Sequence, residues 1–178
     1  MRNTAPTVLI LASGRGERFR ASGGQGSKLD ALLHGKPVLQ HTLDAVRASG
    51  LPFHVETGPH AGMGDSIAAA VRATQDAAGW LVLPGDLPLI QSKTLLAVAQ
   101  MLAHCAVVVP VCEGQRGHPV AFAPPCRDLL LTLKGDKGAS LVVATYGARE
   151  LVVNDVGTVT DMDTVQDLAQ IAMRLQQG

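Results

Sequence analysis

Short apolar runs alternate with amphipathic segments through most of the chain, and this alternation constrains the fold more than any other feature. The runs lie at residues 7–12, 53–56, 80–83, 106–111, 119–123 and 150–153. Each is short and flanked by turn residues, which is typical of buried strands. Strands that alternate with single helices need right-handed crossovers and favour a parallel sheet. The sequence therefore predicts a doubly wound, three-layer α/β/α fold with a mostly parallel sheet and helices on both of its faces.

The helices are predicted from apolar residues that recur at helical spacing. The four apolar stripes are Leu39, Leu43 and Val46; Ile67, Ala70, Val71 and Thr74; Leu95, Val98 and Leu102; and Val165, Leu168, Ala172 and Leu175. Ser92 and Thr164 precede two of these stripes and are predicted N-caps, and Thr164 with Asp167 forms a short-acid capping box. Two further short helices are predicted on either side of a break at residues 133–141.

The charge balance argues against nucleic acids and membrane surfaces as partners. Fifteen Lys and Arg residues offset fifteen Asp and Glu residues, so the formal net charge is zero. Nonspecific binding to either polyanionic surface relies on a broad positive field, which this composition lacks. No apolar run approaches membrane-spanning length, and the N-terminus carries no cleavable signal pattern. We therefore expect a cytoplasmic protein that binds neither nucleic acid nor membranes. Any anionic ligand is then expected to be bound by side chains and backbone groups of one local site.

The first apolar run leads directly into a loop with two glycines and two arginines, VLILASGRGERF at residues 8–19. A dinucleotide fingerprint would need a third glycine where Phe19 stands. A P-loop would need a glycine followed by lysine and a hydroxyl residue, and no glycine here has them in that register. The backbone N–H groups at Gly14 and Gly16 can nevertheless approach phosphates closely. The nearby cations are Arg15, Arg18 and Lys28, and the glycine-rich residues 21–27 predict a mobile loop between them.

Six segments, in order, resemble the MobA-like nucleotidyltransferase family. The loop LASGRGERF, with the KL that follows it, is similar to the family signature LxxGxxxRM/F…K. The other segments are GMGDSIAAAV (62–71), LVLPGDLPLI (81–90), GHPVAF (117–122), LKGDKGA (133–139) and DMDTVQDL (161–168). GHP and LKGDKGA resemble the molybdenum cofactor cytidylyltransferase branch in particular. The resemblance covers nearly the whole chain and implies a single Rossmann-like nucleotidyltransferase domain over residues 1–178, with a nucleotide-binding part at 1–111 and an acceptor-binding part at 112–163.

The resemblance implies an enzyme that moves a nucleoside monophosphate from a nucleoside triphosphate to a phosphorylated acceptor and releases pyrophosphate. The implied donor is CTP, and the implied acceptor is molybdopterin or the molybdenum cofactor that contains it. A molybdoenzyme or its chaperone is then an implied protein partner. Two alternatives stay open: another phosphorylated acceptor, such as a sugar phosphate, and a nucleotide-binding relative without catalysis. The residue before the loop glycine helps to choose the base in these enzymes, and Ser13 matches neither usual choice, so GTP and ATP also stay open.

Asp86 follows the most apolar run, where a strand end opens toward a ligand crevice. By its residue type alone it is an ordinary turn residue in a Pro-Gly-Asp sequence. The resemblance instead implies that it coordinates Mg²⁺, which proteins hold by one or two carboxylates together with substrate phosphates. Asp161 and Asp163 would stabilise the N-terminus of the last helix as simple charges. The resemblance implies that Asp163 is a second metal ligand, with Asp161 as the other candidate.

The resemblance also implies the remaining site residues. Arg18 is expected to hold the β- and γ-phosphates that leave, and Lys28 the α-phosphate. Arg15 has no fixed counterpart in the family signature and is expected to be mainly a solvated side chain. The nucleotide-binding set is Leu11, Ala12, Ser13, Gly14, Arg15, Gly16, Gly62, Gly64 and Ser66, and the acceptor-binding set is His118, Asp136 and Lys137. Among the six histidines, His118 is expected to lie at the crevice in preference to His34, His41, His54, His60 and His104.

Overall fold

The computed structural model describes residues 4–177, which form a seven-stranded sheet, a separate two-stranded hairpin and seven α-helices. The strands are β1 (Thr7–Leu11), β2 (Leu32–Leu33), β3 (Lys36–Pro37), β4 (Phe53–Glu56), β5 (Trp80–Pro84), β6 (Val107–Cys112), β7 (Gln115–Arg116), β8 (Val120–Phe122) and β9 (Arg149–Val152). The helices are α1 (Glu17–Ala21), α2 (Val38–Ser49), α3 (Met63–Ala73), α4 (Ser92–Leu102), α5 (Arg127–Leu131), α6 (Ser140–Tyr146) and α7 (Val165–Gln176). All six predicted strands and all the predicted helices are present.

The main sheet has the strand order β4-β1-β5-β8-β6-β7, and the seventh strand, β9, also pairs with β6. Strand β1 is parallel to both β4 and β5, and β9 is parallel to β6. Strand β8 is antiparallel to β5 and to β6, so it runs against the direction that the five longer strands share. The prediction of a mostly parallel sheet is confirmed. The reversal begins at the two-residue turn between β6 and β7, where Glu113 and Gly114 both have positive φ, as in a tight hairpin.

Alternate residues of the central strands point into two separate cores, which makes the fold three-layered. Leu9, Val82 and Val109 pack on one face with residues of α3, α5 and α6. Val8, Ile10 and Leu81 pack on the other face with residues of α2 and α4. Helices therefore cover both faces of the sheet, as predicted. Strands that are buried on both faces need apolar side chains at successive positions, so they occur in the sequence as continuous apolar runs.

A third, smaller core lies away from the sheet and fixes the last helix. Phe19 of α1, Leu33 of β2 and Ile171 of α7 pack together with Met162, which is fully buried. This cluster docks α7 against the segment that follows the glycine loop. It thereby places residues 161–163 next to α1, two regions more than 140 residues apart in sequence.

Helix α7 begins with the predicted capping box. The Thr164 hydroxyl accepts from the Asp167 N–H at 3.1 Å, and the Asp167 carboxylate accepts from the Thr164 N–H at 2.8 Å. The prediction for α4 is wrong, because Ser92 lies inside the helix and the N-cap residue is Gln91, whose side chain makes no capping bond. The buried carboxylate of Asp155, from a distant segment, anchors the start of α4 and accepts from the Gln91 N–H and the Thr94 hydroxyl at 3.1 and 2.6 Å.

Within residues 4–177, no helix combines the length and the apolar character that crossing a membrane requires.

Asp155→Ala is expected to lower the free energy of unfolding by about 2–4 kcal/mol, because it leaves buried donors on α4 and at Gly157 without their acceptor. Urea denaturation measures the change. Asp128→Ala is the matched control, since that carboxylate is 88% exposed and should change stability by less than about 0.5 kcal/mol. Equal stability of the two variants would show that Asp155 does not hold α4.

Candidate functional site

A cavity of about 480 Å³ lies at the carboxyl ends of β1 and β5. The chain leaves β1 toward α2 and β4 on one side and returns through α3 to β5 on the other, so β1 is the point where the strand order reverses. Ligands of open α/β sheets bind at such a point, outside the carboxyl ends of the strands. The size also falls in the range of small-molecule sites.

Three hydrogen bonds fix the turn that carries Asp86. Gly85 N–H donates to Leu11 O at 2.9 Å, which ties the end of β5 to the end of β1. The buried Thr42 hydroxyl donates to Gly85 O at 2.9 Å. Met162 N–H donates to Asp86 O at 3.0 Å and joins this turn to the segment before α7. The turn is thus held by β1, α2 and the segment before α7 at once, and the Asp86 carboxylate has little freedom to move.

Lys28 is the centre of an ion-pair network in the cavity. Its ammonium donates to Asp86 Oδ2 at 2.5 Å and to Asp163 Oδ1 at 2.7 Å. The other oxygen of Asp163 accepts from Arg18 at 2.9 Å. Lys28 and Asp86 are mostly buried, whereas the Arg18 side chain is 80% exposed. The structure therefore brings together three residues predicted as catalytic, Arg18, Lys28 and Asp86, and joins them through Asp163.

The network sets the charge states of its members. Burial acts to lower the pKa of Lys28, but the charge of Asp86 and the hydrogen bonds to Asp163 and Asp86 outweigh it and raise the pKa. Burial acts to raise the pKa of Asp163, but the hydrogen bond and charge of Lys28 and the charge of Arg18 hold it below its usual value. Lys28 is therefore a cation and Asp163 an anion at neutral pH.

Asp161 completes a cluster of three carboxylates. Asp86, Asp161 and Asp163 each offer an oxygen, and these oxygens lie within 4.8 Å of one another. Partial burial raises the pKa of Asp161, and the negative charges of Asp163 and Asp86 raise it further. Asp86 Oδ1 is buried and has no hydrogen-bond partner among residues 4–177. An unpaired buried carboxylate oxygen beside two more carboxylates fits a hard divalent cation, which prefers oxygen ligands.

The glycine loop forms the wall of the cavity next to this cluster. Gly16 has a φ of 62°, a conformation that favours glycine, and it directly precedes α1. Gly14 has open space where a side chain would stand. Arg15 makes only a 3.9 Å ion pair with Glu17, and both side chains are about 70% exposed, so solvent screens this pair. Arg15 is thus a solvated side chain at the rim, in contrast to Arg18.

The glycine-rich segment between Arg18 and Lys28 is anchored at two points. Gly24 N–H donates to Phe19 O at 2.9 Å, and a Cβ at Gly24 would overlap the Phe19 ring. The Ser22 hydroxyl accepts from Val165 N–H at 3.0 Å. Composition predicts a mobile loop at residues 21–27, and these contacts tie residues 22 and 24 of that loop to α1 and α7. Lys28 reaches both carboxylates from this position.

The start of α3 forms the opposite wall. Ser66 and Ser13 share a hydrogen bond of 2.9 Å between their hydroxyls, which links α3 to the glycine loop. Gly62 and Gly64 belong to the predicted nucleotide-binding set, and Gly62 lines the cavity. A Cβ at Gly62 would clash with the main chain of Gly135, and a Cβ at Gly64 with that of Lys134. Gly64 N–H donates to Gly135 O at 2.7 Å, so these glycines dock the turn at residues 133–139 onto α3.

The three predicted acceptor residues do not all reach this cavity. Asp136 lines it, whereas Lys137 is exposed beyond it. His118 lies outside the lining, half-buried in the loop before β8, where its backbone N–H donates to Thr158 O at 2.9 Å. Burial lowers the pKa of His118, and the negative charge of Asp86 opposes this only in part, so the ring is neutral at neutral pH.

Most of the residues predicted from the sequence meet in one place. Those on the cavity wall are Leu11, Ser13, Gly14, Arg15, Gly16, Arg18, Lys28, Gly62, Ser66, Asp86, Asp136 and Asp163. Those outside the wall are Ala12, Gly64, His118, Lys137 and Asp161. The sequence analysis missed Glu17, Leu29, His60, Ala61, Met63 and Pro84, which also line it. For His60 a signal was available, because it follows the carboxyl end of β4 by four residues and adjoins the glycine motif of α3.

The chain is similar in sequence to known proteins. The profile of the MobA-like NTP transferase domain matches residues 44–151, more than half of the chain. The bifunctional protein GlmU of Xanthomonas axonopodis pv. citri is 31% identical over an alignment of 144 residues, and the match covers 68% of this chain. The chain spans about 30% of the length of that relative.

Solved structures share the fold. Rv0371c from Mycobacterium tuberculosis H37Rv superimposes with a TM-score of 0.82 at 23% identity, over 96% of this chain and 99% of that one. A manganese complex of the same protein gives a TM-score of 0.76 at 22% identity, over 96% and 99% of the two chains. A molybdopterin-guanine dinucleotide biosynthesis protein A from Archaeoglobus fulgidus gives 0.71 at 17% identity, over 97% and 100%.

Asp86→Asn is expected to weaken Mn²⁺ binding at least about tenfold, because the amide keeps the shape of the side chain and removes the charge that holds a hard cation. Titration calorimetry measures the affinity, and thermal melting checks that the variant stays folded. Glu17→Gln is the matched control, since it removes a carboxylate from the same cavity but outside the aspartate cluster. Unchanged Mn²⁺ affinity in a folded Asp86→Asn protein would exclude Asp86 as a ligand.

Proposed function

The chain belongs to the MobA-like NTP transferase domain family, and from this premise we propose that it transfers CMP from CTP to molybdopterin and releases pyrophosphate. One observation carries the proposal. Lys28 bridges Asp86 and Asp163 beside the glycine loop, in a cavity where an oxygen of Asp86 is buried without a partner. This arrangement supplies cations for phosphates and carboxylates for a metal within one site.

The reaction is an in-line displacement at the α-phosphorus of the nucleoside triphosphate. A phosphate oxygen of the acceptor forms the new bond to phosphorus, and the bond from the α-phosphorus to the oxygen bridging to the β-phosphate breaks. The electron pair leaves with pyrophosphate. No covalent work falls to the protein, so catalysis depends on positioning the two substrates and on neutralising the charge that moves onto the leaving oxygens.

Each residue of the network has a proposed role in this displacement. Lys28 is well placed to contact the α-phosphate, because its ammonium lies at the aspartate cluster and on the same cavity wall as the loop. Arg18 donates one hydrogen bond to Asp163 and is otherwise exposed at the rim, where the remaining donors of its guanidinium are placed to hold the leaving β- and γ-phosphates. N–H groups of the loop at Gly14 and Gly16 add neutral donors. Mg²⁺ held by Asp86 and Asp163, with Asp161 as the alternative to Asp163, would supply further charge neutralisation.

The acceptor is proposed to bind on the side of residues 112–163, with the nucleotide held by residues 1–111. Asp136 on the cavity wall and Lys137 next to it are the proposed contacts to the acceptor, and His118 lies within electrostatic reach of Asp86. The likeness of fold to the Archaeoglobus protein, which is described as acting in molybdopterin-guanine dinucleotide biosynthesis, supports a molybdopterin acceptor. A molybdoenzyme or its chaperone would then receive the product.

The decisive experiment measures pyrophosphate release with Mg²⁺ for each of the four ribonucleoside triphosphates, with molybdopterin and with a sugar phosphate as separate acceptors. We expect turnover with CTP and molybdopterin. Asp86→Asn should lower it about a thousandfold, since the loss of metal-assisted charge stabilisation costs several kcal/mol of barrier. Turnover with GTP in preference to CTP, or with the sugar phosphate alone, would overturn the assignment. Nucleotide binding without turnover on either acceptor would favour a non-catalytic relative.

Arg18→Ala is expected to lower kcat/KM for the nucleotide about tenfold or more, because a charged hydrogen bond to a phosphate contributes about 1.5–3 kcal/mol. Arg15→Ala is the matched control on the same wall and should change kcat/KM by less than about threefold, since solvent screens its charge. Steady-state kinetics at saturating acceptor gives both values. Equal losses in the two variants would show that Arg18 has no special role.

A further inference from the structure

Glu56 accepts hydrogen bonds from two histidines, only one of which lines the cavity. His60 Nε2 donates to Glu56 Oε1 at 2.9 Å, and His54 Nε2 donates to Glu56 Oε2 at 3.0 Å. His60 is on the cavity wall, and its side chain is 19% exposed. His54 is not on that wall. One carboxylate thus orients two rings, and the proposed reaction uses neither.

The Glu56 carboxylate is itself firmly placed. It ends β4, and Glu56 O accepts from Ala12 N–H at 2.9 Å at the start of the glycine loop. A Cβ at Gly58 would lie 3.1 Å from His60 Nε2 and 3.2 Å from Glu56 Oε1. The main chain at Gly58 therefore packs closely against the hydrogen bond between these two side chains. Burial acts to raise the pKa of Glu56, but hydrogen bonds from His60, His54 and Gly58 N–H hold it below its usual value. Glu56 is therefore an anion at neutral pH.

This contact fixes the tautomer of His60. A carboxylate only accepts, so Nε2 must carry the hydrogen, and Nδ1 of the neutral ring is then a hydrogen-bond acceptor. Nδ1 has no hydrogen-bond partner within the part of the chain that the structure describes. His60 therefore brings a free acceptor of fixed identity to the cavity wall.

The wall around His60 differs from the charged end of the cavity. Ala61 and Met63 flank Gly62, two residues after His60, and both line the cavity. Met63 is 44% exposed although it is a large apolar side chain. Lys28 and Arg18 are bound instead to the carboxylates that follow β5 and precede α7, and β1 separates β5 from β4, the strand that leads to His60. The Asp136 carboxylate also lines the cavity and lies against Gly62 on the side of His60. An apolar surface suits the face of a nucleobase, since thioether sulfur packs well on aromatic rings. The nucleoside should thus lie at the end that holds His60.

We propose that His60 recognises the nucleobase, with Nδ1 accepting a hydrogen bond from an exocyclic amino group. The proposal rests on the nucleotide-binding function proposed above. Cytosine and adenine carry an amino donor at the position where uracil and guanine carry a carbonyl oxygen. An acceptor therefore favours the amino bases and meets a second acceptor in the other two. His60 is a specificity-determining residue that discriminates CTP from UTP, which differ only in this part of the base.

The test measures the dissociation constants of CTP and UTP with Mg²⁺ by titration calorimetry for four proteins. These are the unmodified protein, His60→Phe, His60→Asn and His54→Phe. Phe keeps a ring without an acceptor, whereas Asn keeps an oxygen acceptor near the position of Nδ1. His54→Phe is the matched control, because it also removes one hydrogen bond from Glu56 but changes nothing on the cavity wall.

His60→Phe is expected to reduce the preference for CTP over UTP by about three- to tenfold, the usual worth of one hydrogen bond. His60→Asn should restore part of the preference, and His54→Phe should leave it unchanged. An unchanged ratio in His60→Phe, an equal loss in His54→Phe, or a preference of the unmodified protein for UTP would overturn the role of His60 while nucleotide binding itself stands. If the unmodified protein binds neither CTP nor UTP, the proposed function is overturned as well.

Discussion

The ion-pair network around Lys28 is the interaction on which the site depends. It joins three parts of the chain that are far apart in sequence: the segment after the glycine loop, the end of β5 and the segment before α7. Three carboxylates face two cations there, so the network keeps a negative charge and an unpaired buried oxygen on Asp86. Lys28 and Asp86 are mostly buried, and an unpaired carboxylate oxygen in such a place is costly unless a further cation shares it. The carboxylate cluster therefore suits a divalent cation.

The fold supports this network at several points. The parallel pairing of β4, β1 and β5 brings three strand ends to the same edge of the sheet, which places Glu56, the glycine loop and Asp86 around one opening. The small core around Met162 then sets Asp163 against Arg18. The glycines at the start of α3 let the turn at residues 133–139 dock directly, which brings Asp136 to the rim. Packing at each point positions a polar group that the cavity uses.

The two ends of the cavity match the two ends of a nucleotide. Cations and carboxylates gather where the triphosphate and a metal would lie, and apolar side chains with the single oriented ring of His60 form the other end. In the proposed function, this difference sets the direction in which the nucleotide lies. The hydrogen bond to Glu56 holds His60 in its orientation on the cavity wall.

The sequence by itself determined the layers of the fold, because doubly buried strands appear as continuous apolar runs and amphipathic helices as stripes at helical spacing. It also determined the glycine loop, the capping box at Thr164 and the carboxylates that follow β5 and precede α7, since these are local patterns. Only the tertiary structure decided that β8 runs antiparallel, that Asp155 anchors the start of α4, and that His60 rather than His118 lines the cavity. Each of these depends on contacts between residues distant in sequence, and a local pattern carries no information about which distant segment supplies the partner.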